Sequence, residues 1–226
     1  LGYGLRPDLG FRDPEFVGVL KAWVPVLASA SIFAATEQVA VLFASGLQDG
    51  STSSLSYALV FFQLPFGIFS ISIITVLFPR MSRQAALGDS EGLIGSVSYG
   101  LRFTLILLAP ATVLFLLLGR PIIAVLLERQ RFTAEATALT AQVLVAYSLG
   151  LFSLGAFTFL QRYFYASRDY LTPLAGAGVV SAADIALSLW LKRTPLAVAG
   201  LAYANSIAFS LGFVFLLLAA RRRLGS

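Results

Sequence analysis

The chain has 226 residues, 58% of them hydrophobic and 12% charged, with no cysteine, no histidine and a net charge of +5. A soluble domain carries roughly 25% charged residues, so this chain has too little polar surface to cover a globule in water. The absent residue types exclude disulfides, thiolate metal sites and imidazole acid–base chemistry. The arginines lie near the ends of apolar stretches rather than in one nucleic-acid-binding stripe, so no nucleic acid partner is expected.

The chain starts at Leu1, and Met81 is its only methionine, so it reads as a piece of a longer polypeptide. Residues 1–23 are expected to be a cytoplasmic or interfacial lead-in helix, because Asp13-Pro14-Glu15 combines a capping acid, a proline at the first helical position and an acid in the first turn. Residues 24–220 then form the transmembrane unit, and 221–226 a basic cytoplasmic end. Within that unit six apolar segments approach the roughly 20 residues needed to cross the hydrocarbon core. They are Val24–Leu47, Ser54–Phe78, Tyr99–Leu118, Ala136–Leu160, Thr172–Leu191 and Leu196–Ala219. Asp49-Gly50-Ser51 and Gly88-Asp89 break the early spans apart, and Thr133 and Thr172-Pro173 are expected to start the fourth and fifth.

The basic residues set the orientation. With the amino terminus inside, Arg6, Arg12, Lys21, Arg80, Arg83, Arg102, Arg162, Arg168 and Arg221 to Arg223 fall on the inner side. Arg120, Arg129, Arg131, Lys192 and Arg193 fall outside, which accounts for all 16 cations. The positive-inside rule therefore puts both ends in the cytoplasm, and an even number of spans agrees. Pro25, Pro65 and Pro110, with Gly67, Gly150 and Gly155, lie inside spans, where they kink the axis or permit close packing.

Polar groups at membrane depth are the candidate site. Glu37-Gln38 lies in the middle of the first span and Asp184 in the middle of the fifth. A bare carboxylate there costs roughly 2.5–3.5 kcal/mol on insertion scales, so it is expected to be protonated, paired, hydrated or bound to a cation. Asp184 and Ser188 share a helix face, and Asn205 in the sixth span lies at a depth where it can meet them. Carboxylate, hydroxyl and amide oxygens without sulfur or imidazole suit a proton or a hard cation such as Na⁺; the bland alternative is interhelical hydrogen bonding that only fixes packing. Gln63, Gln142 and Gln161 line a cavity or bridge helices, and Arg162 is either a snorkelling interfacial charge or a cavity group. There is no Ser/His/Asp set, no His or Cys metal cluster and no phosphate-binding glycine loop. Transport, not catalysis, is the expected activity, and no cofactor beyond a coupling ion is implied.

Four stretches in order carry a resemblance. They are Gln63-Leu64-Pro65-Phe66-Gly67-Ile68-Phe69 running on to Thr75-Val76-Leu77-Phe78-Pro79-Arg80-Met81-Ser82-Arg83; Phe132-Thr133-Ala134-Glu135 with Ala146-Tyr147-Ser148-Leu149-Gly150-Leu151; Arg162-Tyr163-Phe164-Tyr165-Ala166 with Asp169 and Thr172-Pro173; and Ala199-Gly200-Leu201-Ala202. Together they resemble the MurJ/MviN family of lipid II flippases, within the multidrug/oligosaccharidyl-lipid/polysaccharide exporter superfamily. The resemblance implies an all-α integral membrane protein of the bacterial cytoplasmic (inner) membrane, with two six-helix lobes and a terminal pair. This chain corresponds to the second lobe, helices seven to twelve, with the first lobe of the same polypeptide as its partner. It implies alternating access in the lipid bilayer and a lipid-linked peptidoglycan precursor as cargo. The family's sodium site maps onto Asp184, Ser188, Leu201 (through its carbonyl) and Asn205, while its helix-seven ligand falls at Ala40, so Glu37, one turn earlier, is the expected substitute. Gln63, Gln38 and Arg162 are the expected cavity or substrate contacts. The Asp-Arg pair common in the family, whose arginine faces the cavity, reads Leu59 and Val60 here. That departure leaves open an exporter of another polyprenyl-linked glycan or of a drug, or a transport-dead scaffold for cell-wall synthesis.

Overall fold

A computed structural model describes residues 14–129 and 132–224. Among them every regular element is helical: α1 (Pro14–Ser45), α2 (Ser51–Pro65), one widened π-helical turn (Phe66–Ser70), α3 (Ile71–Leu87), α4 (Ser90–Leu127), α5 (Ala134–Ser148), α6 (Leu151–Ala166), α7 (Leu171–Leu191) and α8 (Ala197–Leu224). Five stretches are each long and apolar enough to cross a bilayer, namely Phe16–Ser45, Ser51–Leu87, Ser90–Leu127, Leu171–Leu191 and Ala197–Leu224. The pair α5 and α6, bent by 45° at its break, makes the sixth. The chain is thus an all-α membrane lobe of six spans, and each falls on one of the six segments expected from hydropathy.

The helices overrun those segments at one end, and the second, third and fourth spans do so at both. Span three was expected at Tyr99–Leu118, but α4 has 38 residues, about 57 Å at 1.5 Å per residue. Hydropathy marks only the part that meets hydrocarbon, while backbone hydrogen bonding continues past it. The lead-in behaves likewise: from Pro14 onward it is the first part of α1, without a break before the span. Its first 13 residues, Asp13 with them, lie outside the described residues, as does the chain after Leu224.

Local chemistry sets the ends. Gly88, left-handed at φ 69°, closes α3, and Asp89 then accepts the Gly92 N–H at 2.9 Å to start α4. Thr133 accepts the Ala136 N–H at 3.2 Å, as expected for the α5 cap. The α7 start differs from expectation. Asp169 receives the Leu171 and Thr172 N–H groups at 3.2 and 3.0 Å, while Thr172 and Pro173 lie inside the first turn, where proline forfeits no helical bond.

Two apolar clusters hold the lobe together. One gathers Ala44, Leu55, Phe62, Ile123, Leu144 and Val198, at the end where α1 and α4 finish and α8 begins. The other gathers Leu77, Met81, Leu93, Phe159, Phe164 and Ala220, at the opposite end. Small residues let helices approach closely between them: a Cβ on Gly155 would meet Leu108 Cδ1 at 2.6 Å, and Gly100 sits directly against the Phe159 ring. α7 packs along α8, α1 along α7, and α6 along α8. That arrangement brings the polar residues of three spans together.

Candidate functional site

The site is centred on Asp184, which is 4% exposed in the middle of α7. Ser188, one turn on, donates to Asp184 Oδ1 at 3.3 Å. Asn205 on the packed face of α8 donates Nδ2–H to Oδ2 at 3.2 Å. Leu201, one turn before Asn205 on the same face of α8, is also buried. Sequence spacing alone accounts for the Asp184–Ser188 pair; the antiparallel packing of α7 on α8 brings Asn205 to it. One turn before Asp184, the Ser181 hydroxyl hydrogen-bonds that of Thr36, which fastens α1 to the same face of α7.

Two neutral donors satisfy the Asp184 carboxylate, but none of its described partners carries a positive charge. Such a group, if ionised away from water, is stabilised by taking up a proton or a hard cation. Ala40 lines a narrow cleft with Thr36, Phe43, Asp184 and Ser188. At position 40 α1 therefore offers this cleft a methyl group rather than an oxygen ligand, and the hydroxyl it brings there is that of Thr36.

Next to this cluster lies a cavity of about 540 Å³, its wall including Thr36, Glu37, Gln63, Tyr147, Thr158 and Gln161 as well as Asp184 and Asn205. Phe33, Phe62, Phe66, Phe157 and Phe209 supply its aromatic surface. The widened turn after Pro65 belongs to this wall. Proline has no N–H to continue the helical ladder, and the chain opens into a π turn at Phe66 and Gly67, a geometry frequent at functional sites. Gln63 thus faces the cavity as expected, and Glu37, expected as the α1 ligand of the cation site, lines the same wall. Gln38 and Arg162 do not line it; each follows a lining residue, Glu37 or Gln161, by the 100° that one helical residue turns. Arg162 instead places its guanidinium 5.8 Å from the centre of the Tyr165 ring. Leu59 is on the wall, whereas Val60 is off it and 58% exposed.

Sequence reasoning missed Thr36, Ser181, Tyr147 and Ser206. Ser206 donates to the carbonyls of Ala146 and Tyr147, at 2.7 and 3.2 Å, where α5 ends. Ser181 shares a helix face with Asp184, the one signal that pointed to it. For the others the signal lay in tertiary packing.

A family model described as lipid II flippase MurJ matches residues 1–226. The chain is 35% identical over 190 residues to a probable lipid II flippase MurJ of Borreliella burgdorferi, a match covering 84% of this chain and 38% of that protein. It is 32% identical over 194 residues to one of Rhizobium meliloti, covering 83% and 35%. The chain thus spans little more than a third of the length of these curated relatives. A solved lipid II flippase MurJ in an inward closed conformation superposes with a TM-score of 0.79 at 28% identity, covering 97% of this chain and 45% of that one. A multidrug resistance MATE family transporter of the MOP superfamily, outward-facing, has the same TM-score of 0.79 at 17% identity, covering 90% and 45%. That second likeness is one of fold.

Proposed function

The chain belongs to the lipid II flippase MurJ family, and on that premise we propose that it is the second lobe of a flippase that moves a lipid-linked peptidoglycan precursor from the inner to the outer leaflet of the bacterial cytoplasmic membrane. Both ends of the chain face the cytoplasm in this reading, and the first lobe of the same polypeptide supplies the opposite wall of the cavity. The activity is transport by alternating access, not catalysis.

The observation that carries the reading is the buried Asp184–Ser188–Asn205 cluster on the wall of a polar and aromatic cavity. A carboxylate that must be neutralised, placed beside the transport path, couples ion occupancy to conformation. Only conformations that complete its oxygen shell tolerate the charge. Na⁺ or a proton is the coupling ion, with Asp184, Ser188, Asn205 and the Leu201 carbonyl as its ligands. To serve Na⁺, Asn205 turns its amide so that Oδ1 rather than Nδ2 faces Asp184.

Complementation of a flippase-depleted bacterium by the full-length parent, scored by lipid II exposure on the outer leaflet, tests the proposal. We expect rescue by the wild type, and loss of rescue by Asp184→Asn at an unchanged protein level. Leu59 and Val60, which put no cation beside the cavity, favour a second reading: another polyprenyl-linked cargo, or a scaffold without transport. Normal rescue by Asp184→Asn would overturn the coupling role of Asp184, whereas failure of a well-inserted wild type would favour that second reading.

A further inference from the structure

The cavity wall carries two carboxylates with different surroundings. Asp184 is buried, and both its oxygens accept hydrogen bonds. Glu37 is exposed into the cavity and, among the described residues, has neither an ion pair nor a hydrogen bond to its side chain. No lysine or arginine lines the cavity. Phe33, four residues before Glu37, shares its face of α1. The Phe33 ring stacks on Phe209 with centroids 5.9 Å apart and meets Phe157 edge to face at 5.9 Å, while Phe157 and Phe209 stand at 5.6 Å and 71°. All three rings line the cavity.

We infer that Glu37 and the Phe33–Phe157–Phe209 rings form a subsite for a protonated amine on the translocated cargo, an inference that rests on the proposed flippase function. A bare inorganic cation favours several converging oxygens at short range. Asp184, Ser188 and Asn205 offer those, whereas Glu37 offers one carboxylate on a mostly aromatic and aliphatic wall that it shares with the neutral Gln63, Thr158 and Gln161. An organic ammonium suits that environment better. Its N–H groups bond the carboxylate, its carbon substituents lie against apolar surface, and aromatic faces attract its charge. A volume of about 540 Å³ takes an aminoalkyl group with room for water. The primary amine borne by the peptide of a peptidoglycan precursor is a group of this kind. The same wall repels phosphate, so the subsite also orients the cargo: amine toward this lobe, pyrophosphate toward cations elsewhere on the protein.

The test compares two forms of the precursor on the full-length protein, one with the peptide amine free and one with it acetylated, competing in native mass spectrometry. We expect the wild type to prefer the free amine by about tenfold, the value of one desolvated ammonium contact. Glu37→Gln should lower the preference to about one, and Phe33→Leu should lower it partially. Equal binding of the two forms by the wild type, or an undiminished preference in Glu37→Gln, overturns the inference and assigns the Glu37 counter-charge to another part of the protein. If neither form binds, it is the cargo reading that fails, and phenethylammonium then decides the subsite. Saturable binding lost in Glu37→Gln supports it, and no binding by the wild type overturns it.

Discussion

Asp169, in the short turn between α6 and α7, gathers four interactions on one carboxylate: the Leu171 and Thr172 N–H groups, the Thr172 hydroxyl at 2.8 Å and Arg223 at 2.6 Å. Burial pushes its carboxyl up, but the Thr172 donors, the Arg223 guanidinium and the Leu171 N–H together outweigh this and hold it below the usual range. A carboxylate lowered by folding contributes stability that is fully present above the unfolded value of about 3.9 and is lost as pH falls through the lower folded value. Asp169→Ala should therefore cost about 1 kcal/mol at neutral pH, as for a lost helix cap. The gap in unfolding midpoint between wild type and variant should close only below about pH 4, as followed by thermal unfolding of the detergent-solubilised parent protein. At this scale the sequence was partly legible. Asp184 and Ser188 announce themselves through their spacing. Thr36 does not, because hydroxyls in membrane helices commonly bond the carbonyl four residues back, as Ser29, Ser72 and Thr75 do here. Nothing in the chain sets apart the one that reaches a neighbouring helix.

The fourth span shows what an element needs beyond its hydropathy. α5 ends at Ser148 and α6 begins at Leu151, with a 45° change of direction between them. The break is bridged from neighbouring helices: Ser206 donates to the carbonyls of Ala146 and Tyr147, the latter also taking the Gly150 N–H at 2.9 Å, and Thr112 donates to Ser148 at 3.2 Å. Ser206 directly follows Asn205, so α8 touches the Asp184 cluster with one residue and the break with the next. Gly150 makes this proximity possible, since a Cβ there would stand 2.6 Å from Ser206 Cα. Gly150→Ala should push α8 from α6 and destabilise the protein by about 1–3 kcal/mol, the range for overpacking. Ser206→Ala, which removes a donor but keeps the space, should cost about 1 kcal/mol or less. Equal costs in thermal unfolding would mean that the hydroxyl, not the space, governs the contact. Gly150 stood out in the sequence as a breaker within a span. The residues that compensate for the break were not legible, since they lie 36 to 60 positions away along the chain.

At the scale of the whole molecule, six spans and their breaks were legible because the bilayer imposes a length and a polarity on each. What hydropathy does not carry is which faces meet, and the cavity is made of those faces. Orientation rests on the uneven distribution of Lys and Arg. The chain contains no cysteine, which makes it suited to labelling in intact cells. In a cysteine-free parent, Asp49→Cys should react with a membrane-impermeant maleimide from outside, and Arg222→Cys only after lysis; the reverse pattern would invert the topology. The broken span bears on how such a protein enters the bilayer in the first place. Its halves have 15 and 16 residues, about 23 Å each at 1.5 Å per residue, against a hydrocarbon core of about 30 Å. During synthesis the first half is therefore too short to be released into lipid as a finished span. It must wait at the insertion machinery until the second half follows, and its Ala146 carbonyl must stay hydrated until α8, made later, arrives to bond it.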